Sequence, residues 1–135
     1  MNANCVANKY PDSFGSYAVA NSQPVYLGTT GNAVATLNTI GTNYIVRRVT
    51  VANASGSVAL ANVTILTSND GNTSNAVTNA AALSTITGTA KYQDLALSTA
   101  AASSVYSGPL FVYVGTAAAA NNSVEVTVYG DVVNL

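Results

Sequence analysis

Any chemistry in this chain would have to come from five carboxylates, four cations and one thiol, because the sequence contains no histidine. Its absence removes the commonest general base and the commonest metal ligand together. Ser-His and Cys-His nucleophile systems are impossible, and Cys5 alone supplies no zinc ligand set. The acids are Asp12, Asp70, Asp94, Glu125 and Asp131. Glycoside hydrolysis needs two carboxyl groups about 5–9.5 Å apart. Asp94 and Glu125 fall on predicted strands and are the pair that could meet across a sheet, although single acids are routine at exposed strand positions. Asp70 before Gly71 reads as a turn residue, and calcium would need more oxygen ligands than its neighbours offer. Gly28-Thr29-Thr30-Gly31 lacks the lysine and following helix of a phosphate loop, so it reads as a turn. The expectation is no catalytic residue, no cofactor and no metal.

Arg47 and Arg48 are adjacent on a predicted strand, so strict alternation sends them to opposite faces, one to solvent and one into an otherwise apolar face. An arginine there needs a carboxylate, backbone carbonyls or a subunit interface. With Lys9 and Lys91 they complete the basic set, too few for a phosphate-tracking groove, and nucleic acid is not an expected partner. Asn-x-Ser/Thr acceptor patterns begin at Asn53, Asn62 and Asn72 among others, a chance outcome in an Asn- and Thr-rich chain without a signal peptide.

The elements that would position these residues are strands. The chain has 135 residues, enough for one domain with its own core, and only 7% of them are charged, where an ordinary domain has roughly a quarter. Positive mean hydropathy, many valines and eight tyrosines exclude disorder. A net charge of −1 favours association. One cysteine excludes an intrachain disulfide, and no apolar run is long enough to span a membrane.

Residues 1–22 read as an irregular arm broken by Pro11, Gly15 and several asparagines, and they carry Tyr10, Phe14 and Tyr17, aromatics that seek a surface on this domain or a neighbour. Residues 23–135 read as the domain, with short β-type runs separated by turn clusters. Val25 to Leu27 is a short strand, and 33–40 is ambiguous between helix and strand. Tyr44 to Asn53 is the clearest strand, with Ile45, Val49 and Val51 on one face and Tyr44, Val46 and Thr50 on the other. Both faces are largely apolar, which implies cover on both sides. A turn at 54–57 leads to a returning strand over 58–67, with Val63 and Ile65 facing the core. Residues 73–79 read as a loop, 76–83 leaves helix open, and 81–86 and 92–97 are weaker strands with Leu95 and Leu97 inward. Pro109 to Gly115 is apolar on both faces. Val124, Val126 and Val128 alternate inward against Glu125, Thr127 and Tyr129, and 116–122 reads as a flexible hairpin tip.

The runs Tyr44-Ile45-Val46-Arg47-Arg48-Val49-Thr50-Val51-Ala52-Asn53-Ala54-Ser55 and Val124-Glu125-Val126-Thr127-Val128-Tyr129-Gly130-Asp131 resemble small structural proteins of tailed bacteriophages, the capsid decoration or cement proteins in particular. The resemblance implies an all-β protomer, an antiparallel, jelly-roll-like β-sandwich with an irregular N-terminal arm. It also implies assembly as a homo-oligomer, a trimer, against the major capsid protein on the virion surface, after synthesis in the host cytoplasm. Tyr10, Phe14, Tyr17, Arg47 and Arg48 are then the expected interface residues. Two other readings stand beside it: a tail, fibre or neck component of the same particle, and a carbohydrate-binding or adhesin module using Tyr10, Tyr17, Tyr92 or Tyr106.

Overall fold

The computed structural model describes residues 17–39 and 43–133, with side chains at 18–31 and 43–133. Tyr10, Phe14 and Cys5 lie outside the described residues, as does the side chain of Tyr17. Nine strands form: β1 Tyr17–Asn21, β2 Val25–Tyr26, β3 Gly31–Thr39, β4 Tyr44–Ala52, β5 Asn62–Leu66, β6 Ala81–Ala82, β7 Gln93–Leu95, β8 Leu110–Thr116 and β9 Ser123–Val132. Among the described residues there is no α-helix, only two single 3-10 turns at Thr73–Asn75 and Ala100–Ala102.

The fold is all-β and antiparallel, in two layers. One layer runs β7-β4-β9-β1, with β2 following β1 along β9, and the other runs β6-β5-β8-β3. Buried aliphatic side chains, largely valine, fill the space between them: Val19, Val46, Val49, Val51, Val126 and Val128 from the first layer meet Val63, Ile65, Leu110, Val112 and Val114 from the second. Valine suits this role because its branched Cβ packs well on a pleated surface.

The layers are joined at both margins. On one side β1 pairs with β9 and also with β3, through Ala20↔Thr39 and Asn21↔Asn38. Tyr17–Asn21, read from the sequence as part of the arm, is therefore sheet. Beyond it Ser22 keeps the ladder going across Pro24: its N–H donates to the Val126 carbonyl at 2.9 Å and its Oγ accepts the Val126 N–H at 2.8 Å. On the other side residues 75–79 are bonded along both flanks. The Val77 N–H donates to Ile65 O (2.8 Å) and the Thr67 N–H to Asn75 O (3.0 Å), while the Ser98 N–H donates to Val77 O (2.9 Å) and the Asn79 N–H to Ala96 O (2.8 Å). Val77 and Thr78 are buried, and the Thr78 hydroxyl accepts the Ile65 N–H. Backbone pairing on two sides decides a stretch whose alanines left helix open, because tertiary context overrides a weak local propensity.

The segment after β4 departs from the expected hairpin. Strand β5 does not return beside β4; it crosses to the second layer and pairs with β8, Val63↔Val114 and Ile65↔Val112, which still leaves Val63 and Ile65 in the core. The crossing is made by a tight turn, Ala61 N–H to Val58 O at 2.9 Å, with Val58 and Ala61 buried.

Each end of the sandwich has its own closure. At one end the 116–122 connection is pinned rather than free: the Gly28 N–H donates to Asn121 Oδ1 (3.0 Å), Asn122 Nδ2 donates to Ser57 O (3.0 Å), the Ala118 N–H donates to Leu27 O (2.7 Å), and Ala118 is buried. At the other end Tyr44 is buried, exchanges two backbone hydrogen bonds with Tyr106, stacks tilted against its ring at 6.2 Å, and donates its hydroxyl to Gly108 O at 2.8 Å.

Burial, reinforced by Tyr106, pushes the Tyr44 phenol from 10.0 up to about 12. The unfolded chain gives up this proton near pH 10 and the folded chain holds it, so the stabilisation is complete below pH 10 and is lost as pH rises through about 12. Thermal denaturation as a function of pH should therefore show the midpoint falling across that window. Tyr44→Phe should flatten the fall, at a neutral-pH loss of about 1 kcal/mol for the missing hydrogen bond.

Candidate functional site: two unlike outer faces

The outer side of the first layer is set by one extra residue in β4. Tyr44↔Val132, Ile45↔Asp131 and Val46↔Gly130 pair in one register, and Arg48↔Tyr129, Val49↔Val128 and Val51↔Val126 in another, so Arg47 is inserted between them. Such a bulge resets the alternation. Tyr44 and Val46 point inward before it, Val49 and Val51 after it, and all four are buried. Both arginines consequently lie outward, with side chains 53% and 52% exposed. The expectation that one would enter an apolar face is corrected, as is the grouping of Tyr44 and Val46 with Thr50. Opposite the bulge β4 presses close to β9: a Cβ on Gly130 would collide with the Ile45 carbonyl oxygen. Only glycine fits there.

Both arginines find carboxylates within the chain. Arg47 Nε lies 3.0 Å from Asp131 Oδ2, and Arg48 Nε lies 3.1 Å from Asp94 Oδ1, which also accepts the Thr50 hydroxyl at 2.6 Å. The Arg48 guanidinium sits over the Tyr129 ring, 5.4 Å from its centroid. Asn53, at a left-handed φ of 52°, donates from Nδ2 to Glu125 Oε1 at 3.3 Å. Asn tolerates that conformation where most residues do not.

The other layer presents the opposite chemistry. Strands β3, β5, β6 and β8 contain no charged residue. On β5 and β8 the side chains turned away from the core are Thr64 and Leu66, buried, and Phe111 and Tyr113, half-buried, paired as Thr64↔Tyr113 and Leu66↔Phe111. The uncharged face was signalled by Pro109 to Gly115, apolar on both sides. The segregation of charge onto one layer was not, because it depends on which strands become neighbours.

Asp94 and Glu125, the pair that could meet across a sheet, are held apart by β4. Asp94 pairs opposite Thr50 and Glu125 opposite Ala52, on strands flanking β4. That places them roughly 10 Å apart across β4 and about 7 Å apart along it, beyond the working separation of a glycosidase pair. Asp70 is a turn residue: its Oδ1 accepts from Ser68 Oγ (2.6 Å) and the Asn72 N–H (2.9 Å), and those bonds, Ser68 first, lower its pKa. No group of three or more Cys, Asp or Glu able to share a metal ion occurs among the described residues. Of the tyrosines singled out for glycan stacking, Tyr106 packs on Tyr44 at one end of β4, while Tyr92, 61% exposed, stands beside the other end. The structure does not bring them together. Tyr26, not among those tyrosines, is 55% exposed on the two-residue strand β2.

Comparison with protein-family models, with curated proteins and with solved structures finds no match.

Exposed ion pairs of this kind contribute little to stability. A double-mutant cycle of Arg48→Ala with Asp94→Asn, followed by urea denaturation, should return a coupling of about 0.2–1 kcal/mol that shrinks with added salt. In the same assay Gly130→Ala should destabilise by about 3 kcal/mol through the backbone collision.

Proposed function

We propose that the chain is a structural subunit of a phage particle, a capsid decoration protein that packs as a homotrimer against the major capsid protein. The observation that supports this is the uncharged layer. Four strands without a single ionised side chain, carrying Phe111 and Tyr113 half-buried on their outer side, form a surface that loses little on leaving water and has no repulsion to overcome when copies meet. On the opposite layer, by contrast, Arg47 with Asp131 and Arg48 with Asp94 are held in self-satisfied pairs. In this assembly the uncharged layer faces neighbouring subunits, the paired charges face solvent, and the arm with Tyr10 and Phe14, which precedes Tyr17 in β1, clasps an adjacent copy or the shell. The role asks for area and durability and for no chemistry, which agrees with a chain lacking histidine.

The test is the mass of the intact chain in solution by light scattering, with co-sedimentation on cognate capsids. Wild type should be trimeric and capsid-bound. Tyr113→Lys should give a folded, lower-order species that no longer binds, and Arg48→Glu, on the other layer, should leave assembly unchanged. A strictly monomeric wild type that ignores capsids, or dissociation caused by Arg48→Glu instead of Tyr113→Lys, would overturn the reading.

A further inference from the structure

Two tyrosines are more than half exposed, Tyr26 at 55% and Tyr92 at 61%, and both belong to the same end of the first layer. Tyr26 pairs with Ser123 on β9, one residue beyond the buried pair Val25↔Val124, so it points outward. Tyr92 precedes Gln93, the partner of the inward Val51, so alternation along β7 places it outward beside Ala52. Neither phenol hydroxyl has a hydrogen-bond partner among the described residues. Three strand spacings separate β7 from β2, which sets the two side chains on the order of 15 Å apart.

The floor between them is small and polar. Ala52 contributes only a methyl group, and the Asn53 amide and Glu125 carboxylate, joined at 3.3 Å, stand next to it at Ala52↔Glu125. Aromatic rings at the ends of a strip, with a carboxylate and an amide between them, match the amphipathic surface of a pyranose chain. The C–H faces of the sugar meet the rings, and its hydroxyls donate to the carboxylate and bond to the amide. Glu125 places a negative charge between the two rings, which selects against acidic sugars.

We propose that the strip between Tyr26 and Tyr92 binds a neutral linear oligosaccharide, with the two phenol rings as stacking platforms and Glu125 and Asn53 as its hydroxyl-reading groups. The site lies on the layer turned away from the proposed subunit contacts, so the two readings stand or fall separately.

The experiment is calorimetric titration of the full chain with cellotetraose, laminaritetraose, chitotetraose and maltotetraose. At least one should bind. Tyr26→Ala and Tyr92→Ala should each weaken binding about tenfold with unchanged melting temperature and solution mass, Tyr92→Phe should bind as wild type does, and Glu125→Gln should weaken binding less than the alanine variants. Absence of binding to all four sugars, or binding indifferent to both alanine substitutions, overturns the proposal. So does a change of oligomeric state in either alanine variant, which would assign the strip to a protein contact. A wild type that assembles on capsids yet binds no sugar refutes this inference alone.

Discussion

The pairing of residues 75–79 with β5 on one flank and with 96–98 on the other is the constraint on which the rest of the molecule depends. Together with β1, which bridges β9 and β3 at the opposite margin, it ties both margins of the two layers by backbone hydrogen bonds. A sheet edge is where a strand from another chain would add, and closure removes that template along these stretches, leaving the two-residue strands β2 and β6 paired on one side. What remains for recognition is the faces and the ends. In a chain with a net charge of −1 this matters, because little electrostatic repulsion protects an open edge from indiscriminate pairing.

Closure alone would leave the arginines misplaced. The extra residue in β4 lets Tyr44 and Val46, then Val49 and Val51, all enter the core while Arg47 and Arg48 both stay in water. Gly130 permits this by letting β4 approach β9 where a side chain would not fit. The ion pairs that follow do not hold the fold together. The aliphatic core does, at roughly 1.5–3 kcal/mol for each fully buried large side chain before entropy is subtracted. The pairs neutralise a face that must stay outside, and so sharpen the difference between the two layers. One layer is built to be solvated, and the other carries nothing that water holds strongly.

Much of this was legible in the sequence, and the gaps have a common cause. The alternation of Val124, Val126 and Val128 with Glu125, Thr127 and Tyr129 is a local signal, and it appears unchanged in β9. Val63, Ile65, Leu95 and Leu97 face the core, or pack against it, for the same reason. Arg47 and Arg48 were misassigned because a bulge is a property of two strands, and β9 lies some eighty residues away from them along the chain. Likewise the 116–122 tip looks flexible by composition, yet Asn121 and Asn122 secure it to Gly28 and Ser57. Strand β1 was hidden in a segment without period because Ser22 and Pro24 interrupt its path along β9. The strip at Tyr26 and Tyr92 joins residues from opposite margins of one layer, which no local window contains.

Native-state hydrogen exchange at the seam tests the closed architecture most directly. The amides of Val77, Asn79 and Ser98 should be protected to nearly the same extent as those of Val49 and Val128 in the central strands, because they share one cooperative ring. Exchange at these three amides as fast as at exposed turn residues such as Thr29 would show an open margin and contradict the account.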